Sequence, residues 1–116
     1  MPIRRIDVGP RMSQAVVHGN TVYLAGQVAA NPGPSAADQA KQIVAQIDRL
    51  LKEAGTDKTK LLSANIWLSD MRHFDEMNGV WDSWVSAGNT PARATTEARL
   101  ASPKYLVEIA VTAALD

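Results

Sequence analysis

The chain has no cysteine, which removes disulfides, thiol catalysis and thiolate metal sites together. Its only histidines are His18 and His73, too few to furnish a structural zinc site. No metal is therefore expected. Neither sign of charge is in excess: Lys+Arg and Asp+Glu number 12 each, for a formal net charge of zero. Phosphate backbones are gripped by a concentrated basic face. Here the basic residues are scattered, with only Arg4-Arg5 and the pair Lys58/Lys60 close together, so no nucleic-acid partner is expected. Apolar runs of membrane-spanning length are missing, and MPIRRIDV lacks the apolar segment of a signal peptide. The expectation is a soluble, cytoplasmic protein with no membrane partner.

What is present is enough for one core. At 116 residues the chain reads as a single domain, 1–116. Ile3 to Val8 alternates as a short strand closed by Gly9-Pro10. Gln14 to His18 and Val22 to Ala25 flank 19-GNT-21, whose glycine and asparagine suit a tight hairpin turn. The stretch 30-ANPGPS-35 cannot continue a strand. Ser35, with Asp38 three residues on, caps a helix over 36–54 that carries Ile43, Ile47, Leu50 and Leu51 at helical spacing and stops at Gly55. Leu61 to Ser69 is a strand of the buried type. A second helix starts at Asp70 or His73, carries Phe74, Met77, Trp81 and Trp84/Val85 on one stripe, and stops at Gly88. That Met and Trp stripe reads as core.

Two last strands meet around 101-ASPK-104, giving the order β-β-β-α-β-α-β-β with no repeat, linker or low-complexity tail. Two amphipathic helices cover one face of a sheet of about six strands. Oligomerisation is the cheapest cover for the other.

The stretch 91-PARATTEARLASPKYLVEIAV-111 spends full charges on strands that otherwise favour burial. Alternation puts Arg93, Thr95, Glu97 and Arg99 on one side of the fifth strand, and Leu106, Glu108, Ala110 and Thr112 on one side of the sixth. The opposite set of the sixth strand, Val107, Ile109, Val111 and Ala113, is apolar and faces the helices, so both charged sets are expected on the other face. With a turn centred on 101–104, paired numbers sum to about 205, setting Glu108 opposite Glu97 and Arg93 opposite Thr112. Arg93 and Glu108 then lie roughly 13 Å apart along the strands, too far for one small ligand except across a subunit interface.

Pairing of Arg99 with Glu97 or Glu108 as a plain interface ion pair is the alternative. Arg93 has no carboxylate opposite it, and its planar fork suits a carboxylate ligand. Glu108, on an apolar strand near Glu97, has reason to hold its proton, as a general acid/base near neutral pH must.

The sequence also resembles the RidA (YjgF) family in 13-SQAV-16, 26-GQ-27, 54-AG-55, 70-DM-71 with Phe74 and Asn78, 91-PAR-93 and 107-VEI-109, in that order along nearly the whole chain. Within the family it is most similar to the YoaB-like branch, through Arg5-Ile6-Asp7, 81-WDSWV-85 and 102-SPKYLVEI-109. The resemblance implies an α+β, chorismate-mutase-like homotrimer with a six-stranded mixed sheet and two helices on one face. It also implies hydrolysis of reactive enamines and imines, such as 2-aminoacrylate, to 2-oxo acids and ammonia at sites between subunits, without a cofactor.

The family's carboxylate-binding arginine falls on Arg93, its water-activating glutamate on Glu108 and its helix asparagine on Asn78, with Gly26 also at the substrate. Three positions depart from the pattern. Met12 stands in place of a tyrosine, Ala25 in place of a serine and Thr95 in place of a cysteine. The first two remove polar groups that shape and hydrogen-bond the substrate.

Two other functions compete. A non-catalytic trimer that binds a small carboxylate, as a sensor or modulator, is favoured by the missing tyrosine and serine. An endoribonuclease or translation inhibitor is disfavoured by zero net charge, two scattered histidines and the lack of a basic-aromatic surface.

Overall fold

Turn and cap chemistry organise the first half of the molecule, whose structure, a computed structural model, describes residues 1–116. Strands β1 (Ile3–Val8), β2 (Ser13–His18) and β3 (Thr21–Leu24) form an antiparallel meander. Gly19, at φ 60°, and Asn20 make the two-residue turn that sets Thr21 opposite His18. Helix α1 (Ala36–Ala54) begins where the Ser35 side chain accepts from the Asp38 amide. It ends where Gly55, at φ 97°, donates to the carbonyls of Leu51 and Lys52. Arg4 on β1 also caps this end, its Nη2 donating to the Ala54 carbonyl at 2.7 Å. The expected helix bounds and both caps are observed.

Strand β4 (Leu61–Leu68) follows, then α2 (Phe74–Trp84), β5 (Ala92–Glu97) and β6 (Val107–Ala114). A 3-10 turn, Met71–His73, leads into α2, and the Asp70 side chain accepts from the Arg72 amide to start it. The second helix stops at Trp84, four residues before the expected Gly88, which sits at φ 80° in the turn beyond. Of the expected stripe Met77, Trp81 and Trp84 are buried and Phe74 and Val85 partly so, and Val80 is buried with them. They meet the fully buried Ile43, Ile47, Leu50 and Leu51 of α1 and the Val107, Ile109, Val111 and Ala113 side of β6 in one core. The sheet is six-stranded and mixed, with two helices on one face.

The strand order, β1-β2-β3-β6-β4-β5, corrects the expected final hairpin. Strands β5 and β6 are not neighbours. Strand β6 lies between β3 and β4, antiparallel to both, and β5 runs parallel to β4 at the sheet's edge. The pairings Glu108–Glu97 and Arg93–Thr112 therefore do not occur. The reason is burial: β6 offers an unbroken apolar side and takes a central position, whereas β5 (ARATTE) has no strongly apolar side. Helix α2 supplies the crossover that a parallel β4–β5 pair requires.

The same register corrects the expected faces. Arg93, Thr95 and Glu97 stand opposite Ala64, Ile66 and Leu68, all buried on the helix side. Arg93 and Thr95 thus lie beneath the helices, and Glu108, paired with Trp67, lies on the open face. Ion pairs of Arg99 with Glu97 or Glu108 do not form within the chain: the ion pairs are Arg49–Asp7, Arg49–Glu53 and Arg72–Asp70. Glu97 instead accepts from the Met71 amide at 2.9 Å. No helix is long and apolar enough to cross a membrane.

Candidate active site

Helical spacing prepares the surroundings of Arg93. Phe74, Asn78 and Trp81 recur at i, i+4 and i+7 and so share one face of α2. That face lies over the edge strand β5. Arg93 Nη1 donates to Asn78 Oδ1 at 2.8 Å, and its Cζ lies 5.4 Å from the Trp81 ring centroid and 6.0 Å from that of Phe74. Two aromatic faces attract the cation while one hydrogen bond fixes the rotation of the fork. Thr95 lies two residues further on the same side. Its Oγ1 is buried with no hydrogen-bond partner in the chain.

Glu108 is prepared differently. Gln27 pairs with Ile109 through both backbone hydrogen bonds, at 2.8 and 3.0 Å, which lays Gly26 beside Glu108. A Cβ on Gly26 would fall 2.1 Å from Glu108 Oε2, so only glycine permits the carboxylate to lie there. Gln27 is itself buried and held. Its Nε2 donates to Gln14 Oε1 at 2.9 Å and to the Ala25 carbonyl at 3.1 Å, and its Oε1 accepts from Gln46 Nε2 at 3.2 Å. Desolvation by burial pushes the Glu108 carboxyl above the ordinary carboxylate range. No cation of its own chain counters this.

The expected site residues therefore form two clusters. Arg93, Asn78 and Thr95 lie on the helix side; Gly26 and Glu108 lie on the open side, next to Ala25, whose amide donates to the Gln14 carbonyl at 2.9 Å. Met12 is exposed in the turn before β2 and offers its carbonyl to the Gly9 amide at 2.8 Å. Within one chain Arg93 is level with Ala64 and Glu108 with Trp67, three residues along and two strands across, or about 14 Å.

The largest cleft of a single chain, about 730 Å³, contains neither residue; Glu97, Arg99, Leu100, Ser102 and Tyr105 are among those that line it. No group of histidines and carboxylates is placed to hold a metal ion. The sequence reading missed the contacts of Phe74 and Trp81 with Arg93, because a core stripe and a cation clamp share one helical spacing. It also missed Trp67, which only the parity of β4 separates from the buried Ile66 and Leu68.

These features define a small two-layer α+β domain that displays a held guanidinium and a desolvated carboxylate on opposite faces of a mixed sheet. The chain belongs to the RidA (YjgF) family: the family model described as Endoribonuclease L-PSP matches residues 3–115. It is 44% identical over 115 residues to the RutC family protein YoaB of Escherichia coli K12, covering 99% of this chain and 100% of that protein. A crystal structure of a YjgF-family member from Neisseria meningitidis superposes with a TM-score of 0.97 at 51% identity, over 100% of this chain and 97% of the other. The rat 2-iminobutanoate/2-iminopropanoate deaminase is 33% identical over 88 residues, covering 71% of this chain and 64% of that protein.

Proposed function

We propose that this chain is a hydrolytic deaminase of reactive 2-imino acids, working as a homotrimer with sites between subunits. Arg93 of one chain binds the substrate carboxylate through its fork, and Glu108 of a neighbouring chain works on the C=N carbon. An enamine first tautomerises to its imine. Glu108 takes a proton from water as the oxygen attacks that carbon and hands it to the nitrogen, giving a carbinolamine. The carbinol O–H then gives up its proton, which Glu108 relays to the nitrogen as the C–N bond breaks and C=O forms. A 2-imino acid and water thus become a 2-oxo acid and ammonia. The imine is already electrophilic, so the scheme requires no cofactor. The cytoplasm is the expected setting.

The observation that carries this reading is that Arg93, oriented by Asn78, and Glu108, lying over Gly26, lack an intrachain counter-ion and occupy opposite sheet faces. A second copy supplies the missing half economically. The open face favours such a copy too, since Ile3 and Tyr23 there are about half exposed. Sedimentation at micromolar concentration is expected to give three times the 12.5 kDa chain mass; a species of one chain mass rejects the trimer.

The activity is tested by ammonia release from freshly generated imino acids, with Arg93→Ala as control. Release by the wild type and its loss in the variant is the expected result. Met12 and Ala25, which offer no side-chain hydrogen bond where the family has tyrosine and serine, favour a second reading as a non-catalytic carboxylate sensor. Tight binding of a 2-oxo acid without any ammonia release decides for the sensor.

A further inference from the structure

Strand parity puts an indole beside the carboxylate. Trp67 is the direct cross-strand partner of Glu108 and shares its open face, because the flanking pairs Ile66–Ile109 and Leu68–Val107 are buried on the other side. Directly paired side chains have their Cβ atoms only about 5 Å apart. On its other flank Trp67 pairs with Thr96 of β5. Glu108 leans away from it, over Gly26 on the β3 side. The ground on the β4 side is therefore bounded by the half-buried indole, the carboxylate and the Asn65–Ala110 pair, with Ala94 beyond Asn65. Alanine at 94 and 110 leaves room beside the ring that a larger residue would fill. A large apolar surface with small neighbours, next to the group that meets the reacting carbon, is built to take an apolar side chain.

We propose that Trp67 is a specificity-determining residue, forming the wall against which the substrate's side chain packs and selecting 2-imino acids with branched or aromatic apolar side chains over the smallest ones. This rests on the deaminase reading for its substrate class, but on the geometry of β4 and β6 for the wall itself. The ring takes no part in bond making. It binds the side chain in ground and transition state alike, so its loss raises KM for large substrates more than it lowers kcat.

The test is calorimetric binding of a graded series of 2-oxo acids, the reaction's product class, to wild type, Trp67→Phe and Trp67→Ala. The series runs from pyruvate through 2-oxobutanoate to 4-methyl-2-oxopentanoate and phenylpyruvate. Each carbon buried against the ring is worth about three- to fourfold in affinity. Wild type is expected to bind 4-methyl-2-oxopentanoate about tenfold or more tightly than pyruvate. Trp67→Ala should flatten the series to within about twofold, with Trp67→Phe in between.

Parallel series in wild type and Trp67→Ala overturn the proposal. So does a uniform loss across the series with a fall in assembly mass, which would make Trp67 an interface residue. Ammonia release on the same preparations separates the two readings. A Trp67-dependent series without ammonia release keeps the wall and ends the deaminase reading. Ammonia release with a flat wild-type series does the reverse.

Discussion

Glu108→Gln is expected to keep 2-oxo acid binding while turnover of imino acids falls by about 10²–10⁴-fold, the range for loss of a positioned acid/base. Glutamine preserves the side chain's length and its fit over Gly26, so the loss isolates basicity from shape. The pH dependence adds a second check. Because burial raises the Glu108 carboxyl, the acid limb of the wild-type rate profile should lie above the usual carboxylate range. Stability carries the same sign. A carboxyl raised on folding lends stability that is fully present below its unfolded value and is lost as pH rises through the raised one. Glu108→Gln should therefore melt no lower than wild type at neutral pH. A lowered melting temperature with an intact rate would instead make Glu108 an interface ion-pair partner and end its catalytic assignment.

Arg93→Lys is expected to weaken 2-oxo acid binding by roughly ten- to a hundredfold although the charge is kept, which is the scale of one charge-assisted hydrogen bond. The guanidinium is planar, lies near the Trp81 and Phe74 rings and is oriented by Asn78; an ammonium keeps the attraction but not the two-pronged geometry. Titration calorimetry of the two proteins with one 2-oxo acid measures the difference. Equal affinities would assign Arg93 to anchoring α2 on the edge strand.

Local chemistry was legible in the sequence where it acts over a few residues. Ser35, Gly55 and the spacing of Ile43, Ile47, Leu50 and Leu51 define α1 to the residue. Gly19 and Asn20 define the β2–β3 hairpin turn. Long-range pairing was not legible in the same way. Proximity in sequence made β5 and β6 look like a hairpin, and nothing within nine intervening residues announces that the chain steps past β4 before pairing. Relative burial held the answer, since four apolar residues in alternation on β6 ask for a central place and the small, polar β5 does not.

The parity within each final strand was read correctly, yet the two strands had to be placed separately. Joined as neighbours, the two strands would set Arg93 on the face of Glu108. A single ligand touching both residues would need a second chain in either arrangement; in the observed one the two stand on opposed faces as well as far apart.

The central position of β6 also governs how this molecule comes into being. The strand that joins the two halves of the sheet follows the other five in the chain, so on the ribosome β3 and β4 wait with unpaired edges until residues 107–114 emerge. Until then the nascent chain is two half-sheets with open backbone ladders and an uncovered core, the state in which strands recruit foreign partners. Closure depends on contacts distant in sequence, such as Val22 with Ala113, which slows folding. The strand that bears Glu108 is thus also the one that completes the sheet, so a chain that stalls before it lacks the carboxylate and leaves β3 and β4 unjoined.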